Sequence, residues 1–365
     1  MTILDKYILK RYLGSFFFII LLFSMLSVVV DFSEKVEDFI EDDGPTRYQV
    51  VVEYYVNFIP FINSLLFPLY NLIAVVFFTS RLANNSEFIA MIGNGVSFYR
   101  ILVPYLMGAC IIAGMHYYGN HYLFPKSNKT RVAFENKFIW KHNFDGPTEN
   151  IHLLLSPYEE VYMQYFNRHD TMGHQLCWIH YDSTKLKRPT TLFARHIKLI
   201  EAPNKWRITG YRIREIDGMD EDLVVSDPQA YMDTVLSFGI DDLIRRDNLR
   251  EAMTTNELIS YINKEKARGS GATMRFEVER YRRSADPFTI LVLTIIGLSI
   301  ASRKMRGGMA WHLVIGILIS GLYIFMTKFS TTFSTNGGLP PVIGVWIPNI
   351  IFSIIALLML TRAQK

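Results

Sequence analysis

The sequence predicts a polytopic α-helical membrane protein: six transmembrane helices in a three-plus-three arrangement, with an all-β, jellyroll-like outer domain inserted between the halves. Three observations carry this. Only 20% of the 365 residues are charged and half are hydrophobic without counting glycine, whereas a soluble domain is about 25% charged. The charge is unevenly placed, with long uncharged runs at both ends and most charge in the middle. The middle shows the alternating apolar and polar pattern of strands. Together these exclude a disordered chain, a collagen and a nucleic-acid-binding tail.

Crossing about 30 Å of hydrocarbon takes about 20 mostly apolar residues. Residues 12–30, 54–80 and 101–125 qualify. The first is expected to be retained rather than cleaved, because it is longer than a signal core and is followed by Asp31, Glu34 and Lys35. Residues 287–302 form a shorter run followed by basic residues that can snorkel. Residues 307–327 form a fifth span. Residues 329–361 are too long for one and contain Asn336-Gly337-Gly338-Leu339-Pro340-Pro341. We read that as a turn before a last span at 342–360. The expected segments are therefore 1–125 (three spans), 126–253 (β-domain), 254–286 (connecting helices) and 287–365 (three spans).

Lysine and arginine asymmetry sets orientation. With both termini inside, the inner segments carry ten basic residues against two acids, Asp5 and Glu87, giving +8 inside and −4 over the rest. The inverted topology would put the acidic stretch 31–43 inside, so the middle domain lies outside. Within it, residues 160–166, 175–181, 191–200, 206–216 and 230–240 read as strands, separated by turns such as Ile216-Asp217-Gly218 and Ala202-Pro203-Asn204. Short strands at this spacing suggest a sandwich or jellyroll. Thr254-Thr255-Asn256-Glu257 can form a capping box for a helix carrying Leu258, Ile259 and Ile262. Gly269-Ser270-Gly271 then breaks the chain before a polar helix over 276–286. Cys110 lies within a span and Cys177 in the outer domain, so no disulfide framework is expected.

Several chemistries have no motif. There is no G-x-x-x-x-G-K-[ST] phosphate loop, no H-E-x-x-H and no C-x-x-C. His169, His174 and His180 read as surface or half-buried residues. The spans hold no acids, so a proton-driven relay has little to titrate. One inner segment, 81–100, is long enough to dock a partner. Asn84 or Asn85 can cap a short helix there, on which Phe88, Met91 and Ile92 make an apolar stripe, ended by Gly93 or Gly95. Glu87 in its first turn can complement the helix dipole or meet a basic residue of a cytosolic subunit. The two readings are compatible.

At these residues the chain resembles the paired F and G permeases of the lipopolysaccharide-export ABC transporter. The resemblance rests on Leu4-Asp5-Lys6-Tyr7-Ile8, on Ser86-Glu87 with Gly95, Ser97 and Pro104, on Ile296-Gly297-Leu298-Ser299-Ile300 followed by Arg306-Gly307-Gly308, and on Gly338-Leu339-Pro340-Pro341-Val342-Ile343-Gly344-Val345-Trp346-Ile347-Pro348-Asn349. The short outer domain leans toward the G type. The resemblance implies a bacterial inner-membrane location with cytoplasmic termini and a periplasmic central domain. It implies pairing with a second permease, two copies of a cytosolic ATPase that binds the ATP, and no cofactor in this chain. Lipopolysaccharide would enter between the first and fifth spans of facing subunits and pass through the jellyroll to a periplasmic jellyroll bridge. Glu87, Phe88, Met91, Ile92 and Gly95 are then the ATPase-coupling candidates. Lys35 and Lys328 are candidates for the lipid phosphates, the latter equally placed for interfacial snorkelling. Trp178, Ile208 and Tyr211 line either a lipid slot or a plain sandwich core. Asp31, Glu34, Glu37 and Asp38 are acidic where the family is cation-led, and a divalent cation could bridge acid to phosphate. The competing reading is a non-transporting scaffold or envelope sensor whose outer domain binds a partner.

Overall fold

A computed structural model describes residues 2–41, 44–139, 149–167, 170–181, 189–217, 219–243, 249–269, 273–302 and 308–363. His169, Gly218, Ser270, Gly271, Arg306 and Gly307 lie outside them. The chain divides into two compact units. One comprises Met1–Lys141, Arg250–Ile259 and Met274–Lys365, the other His142–Leu249 and Ser260–Thr273.

The first unit is helical, and six of its helical stretches are long and apolar enough to cross a membrane. Helix α1 (Ile3–Ile40) starts at a capping box in which Thr2 and Asp5 satisfy each other's amide donors. A π-helical turn, Gln49–Tyr55, precedes α2 (Val56–Asn84); the short α3 (Glu87–Gly93) follows. Helix α4 (Phe98–Tyr118) runs through a second π-helical turn, Gly119–Leu123, into α5 (Phe124–Phe138). The helical unit thus passes the boundary expected at residue 125, because Phe134, Glu135 and Phe138 are buried against it. Short helices α6 (Ile240–Leu243) and α7 (Leu249–Ala252) precede α8 (Thr255–Ala267). The Thr254 N–H donates to the Glu257 carboxylate at 2.7 Å and holds its carboxyl below the usual range. Helix α9 (Met274–Ala301) is continuous, so the polar helix expected over 276–286 and the fourth span are one element. Helices α10 (Gly308–Thr335) and α11 (Pro341–Ala363) flank the expected turn, where Gly337 adopts φ +80°.

Helix α9 is the axis of this unit. Of its membrane-crossing window 72% is buried, against 17% for α1 and 22% for α10. Pro287 removes the N–H that would reach the Arg283 carbonyl, and the Asn120 side chain donates to that carbonyl at 3.4 Å instead. Two buried polar clusters pin α9 to its neighbours. Asn71 of α2 donates to the Ile290 carbonyl (3.1 Å) and to Thr294 (2.9 Å) while accepting from Tyr12 of α1. Asn349 of α11 donates to the Ala285 carbonyl (3.0 Å) and accepts from Thr289 (2.9 Å) and Tyr323 (3.0 Å). The α10–α11 hairpin closes on Gly344, where a Cβ would lie 1.7 Å from the Ser334 hydroxyl.

The second unit is one antiparallel sheet of seven strands: β1 (Glu149–Ser156), β2 (Glu159–Asn167), β3 (Met172–Tyr181), β4 (Pro189–Glu201), β5 (Lys205–Asp217), β6 (Asp220–Val225) and β7 (Tyr231–Val235). The order is sequential, and β7 folds back to pair with the first half of β5 beside β6. Strands β1 and β6 escaped the alternation rule, β6 because all six of its residues are exposed. Cross-strand register builds apolar rows, such as Leu153–Val161–Trp178–Leu192–Ile213 and Ile151–Met163–Leu176–Ala194–Tyr211. Trp206, whose indole donates to the Phe238 carbonyl at 3.1 Å, closes this core with Phe238, Leu236 and Leu243. Both cysteines are free.

Away from the strongest core rows, His174 and His196 face each other across β3 and β4 with their Nδ1 atoms 3.0 Å apart. One must donate and the other accept, so only one of these nitrogens carries a proton. Burial, then His174 and Arg195, hold His196 below its ordinary value of 6.5. A histidine with a lowered folded pKa contributes stability that is full above its unfolded value and declines as pH falls below it. We therefore expect amide exchange in β3 and β4, corrected for intrinsic rates, to be faster at about pH 5.5 than at about pH 7.5. His196→Gln should abolish the difference; an unchanged difference would assign it to other groups.

Candidate functional site

Two regions at opposite ends of the helical unit gather the candidate residues. Chain order places α3 on the side of the termini. The end of α1, the start of α9 and the end of α10 lie at the opposite end of this unit.

On the termini side, α3 follows Ser86, which adopts φ 60° and makes no side-chain cap. Asn85, expected as a cap, instead donates to Glu87 Oε1 at 3.1 Å. The Tyr7 hydroxyl of α1 donates to Glu87 Oε2 at 2.9 Å. Glu87 is thus half-buried and hydrogen-bonded through both oxygens. The expected stripe is divided by the fold. Phe88 is 1% exposed and sits in the core with Ile8, Tyr12 and Phe98, and Met91 packs against the same cluster. Ile92 is exposed, as is Ile89, which was not singled out from sequence. The outward apolar pair is therefore Ile89 and Ile92, three residues apart, because the helix turns Phe88 inward. Gly95 adopts φ +84°, a left-handed conformation that ends this turn and suits glycine.

On the other side, Lys35 is not a free cation. Its ammonium lies 2.8 Å from Asp31 and 3.1 Å from Glu135, contacts the Tyr54 hydroxyl, and sits 4.7 Å from the Tyr54 ring centre. Arg131 pairs with the other Glu135 oxygen at 2.6 Å. Two acids and two cations neutralise each other in a largely buried cluster that ties α1 to α5. The expected role of Lys35 toward a lipid phosphate is corrected accordingly. The acid at 31, which made the stretch after the first span look unlike its family, is its partner. Among the described residues no group of three or more His, Cys, Asp or Glu is placed to hold a metal.

Lys328 differs. It is exposed and borders a cavity of about 300 Å3 lined by Arg250 and Glu251 of α7, Arg275, Val278, Glu279 and Arg282 of α9, and Lys328, Thr331, Thr332 and Thr335 of α10. Four cations and two carboxylates line this cavity, and the three threonine hydroxyls donate to carbonyls of their own helix. Arg282 is held by Glu279 at 2.8 Å, and Arg283 by the same carboxylate at 3.1 Å and by the Arg250 carbonyl at 2.9 Å. The excess of cations suits an anionic ligand. Arg250, Arg275 and Arg282 were missed from sequence. The available signal was the run of charge at 275–286, which reads as a solvated helix unless its packing is known.

In the β-domain, Ile208 is fully buried in the sheet core, so the plain-core reading holds for it and it offers no lipid surface. Trp178 and Tyr211 are half-buried at the margin of that core. The Trp178 indole donates to Glu159 at 2.7 Å.

In comparisons with known proteins, the family model described as "Lipopolysaccharide export system permease LptF/LptG" matches residues 6–362. No curated protein matches the chain.

The Lys35 cluster makes a specific expectation. Lys35→Met strands Asp31 without its cation and should destabilise the detergent-solubilised protein by about 2–3 kcal/mol, somewhat below the cost of breaking a fully buried pair. Adding Asp31→Asn should recover most of the loss in thermal unfolding. Wild-type stability in Lys35→Met would show that the cluster contributes nothing.

Proposed function

The chain belongs to the lipopolysaccharide export system permease family LptF/LptG, and on that premise we propose that it is the membrane half of an ATP-driven lipid extractor. The observation that carries this reading is the match over residues 6–362, which takes in both helical halves and the inserted β-domain. In this reading a second permease of the family pairs with it, two copies of a cytosolic ATPase bind below, and the β-domain hands the lipid to a periplasmic bridge.

The physics supports that division of labour. Each lipid CH₂ removed from apolar surroundings costs about 0.8 kcal/mol, so a many-chained lipid leaves the bilayer only if work is supplied. This chain has no phosphate loop, so the work comes from a partner. Helices α1 and α10 keep broad apolar faces exposed, including Phe18, Leu21 and Met25 on one and Leu318, Phe325 and Phe329 on the other. Such faces suit acyl chains or a facing permease. The cavity beside Lys328 supplies cations at the end of α10, where phosphates of an entering lipid would arrive. The sheet ends in β6, whose Leu223, Val224 and Val225 are exposed; an open edge of this kind can pair with a strand of a similar domain. Glu87, with Ile89 and Ile92 beside it, is the contact for the ATPase.

Two measurements test the reading. Glu87→Ala should insert normally but retain the ATPase in detergent purification at least about tenfold less well, as expected when one partner of a desolvated charge pair is removed. A wild-type chain that never copurifies with an ATPase would refute the transporter and favour the scaffold. A photo-crosslinker at Lys328 should capture lipopolysaccharide. Signal only at outer-domain sites, with none at Lys328, would remove this cavity from the route.

A further inference from the structure

We propose that Tyr7 is a positioning residue for the coupling surface, one that holds Glu87 against the first turns of α1 so that force received at α3 is delivered to α1. This rests on the reading of Glu87 as the ATPase contact. The two residues are 80 apart in sequence, and their 2.9 Å hydrogen bond is the polar link between α1 and α3. Helix α3 cannot fix its own start: it has seven residues and its N-cap, Ser86, makes no capping bond. Asn85 restrains the other Glu87 oxygen, but only from the adjoining turn.

The α1 side of the link is rigid. The Thr2–Asp5 capping box fixes the first turn. Asp5, with a side chain 6% exposed, pairs with Arg100 at the start of α4 at 2.8 Å. Ile8 and Tyr12 then bury beside Phe88 and Phe98. Tyr7 therefore presents its hydroxyl from a fixed frame, with Arg11 placed 5.7 Å from its ring centre. A carboxylate has about four lone-pair sites. Tyr7 and Asn85 take one on each oxygen and leave a face on which a guanidinium of the partner can dock. Tyr7 stays bonded when the partner binds, and Asn85 still restrains the carboxylate for docking when the Tyr7 hydroxyl is removed. Transmission then runs from the partner through Glu87 and Tyr7 into α1, a helix with a broad exposed apolar face.

The test uses the purified permease–ATPase complex in lipopolysaccharide-containing liposomes, with four forms of this chain: wild type, Tyr7→Phe, Glu87→Gln and the double variant. Tyr7→Phe should keep ATPase copurification, ATP hydrolysis and the melting temperature of the chain. It should lower lipopolysaccharide released per ATP by about tenfold, or about 1.4 kcal/mol. The double variant should be no worse than Glu87→Gln, because Tyr7 acts through Glu87. Asn85→Ala should cost far less, since its bond does not reach α1. Unchanged release in Tyr7→Phe, losses that simply add in the double variant, or early melting of Tyr7→Phe would each overturn the proposal. In the first two cases the transporter reading stands; a wild-type complex that lacks an ATPase would remove both.

Discussion

Inside hydrocarbon a buried polar group finds no water, so leaving one unpaired is costly and a fully paired one is a strong constraint. Two asparagines turn that constraint into architecture. Asn71 and Asn349 each reach a backbone carbonyl of α9, and each gathers a tyrosine and a threonine around its amide. The result is directional, unlike the apolar contacts around it, because lipid tails would serve those contacts almost as well. Helix α9 is thereby fixed in register against α1 and α2 on one side and α10 and α11 on the other. Its burial follows from this, and so does the exposure of α1 and α10. The carbonyl released by Pro287 is met by Asn120, so the kink-prone point in the axis is tied to the helical extension of α4.

Charge obeys the same logic at the end of the helical unit opposite the termini. Lys35 and Arg131 are consumed by Asp31 and Glu135, and Arg283 by Glu279 and a carbonyl. Lys328 instead borders open space. A cation count alone cannot distinguish a strut from a binding site. What distinguishes them is whether an acid is in contact with the cation.

This explains which features were legible in the sequence. Six spans, the inserted β-region and the break at Gly337 follow from composition and period, which are local. The long reach of α1 and α5 was hidden, because amphipathic and charged helix beyond the hydrocarbon carries no hydropathy signal. Strand β6 was hidden because it lacks an inward face. Glu87 and Lys328 stood out as charges in unusual places. Their surroundings did not: Tyr7, Arg250 and Arg282 acquire meaning only from contacts spanning tens of residues. Phe88 was misassigned for the same reason, since a stripe on a short helix does not say whether it faces its own chain or another. Lys35 looked available because its acid partners lie one turn back and a hundred residues on.

The inward turn of Phe88 makes the short helix α3 mechanically asymmetric. A seven-residue helix is unstable by itself; here Phe88 is buried in the same core cluster as Ile8, Tyr12 and Phe98, Met91 packs against that cluster, and the Tyr7–Glu87 bond adds a polar tie. Interiors are close-packed and compress little, so under a push toward the bundle these side chains keep α3 seated while the Tyr7–Glu87 bond carries the load into α1. A pull in the opposite direction meets hydrogen bonds and the two apolar side chains of Phe88 and Met91. The element is stiff in compression and weak in tension, so it suits a machine whose power stroke presses on the membrane unit and whose return stroke needs no grip.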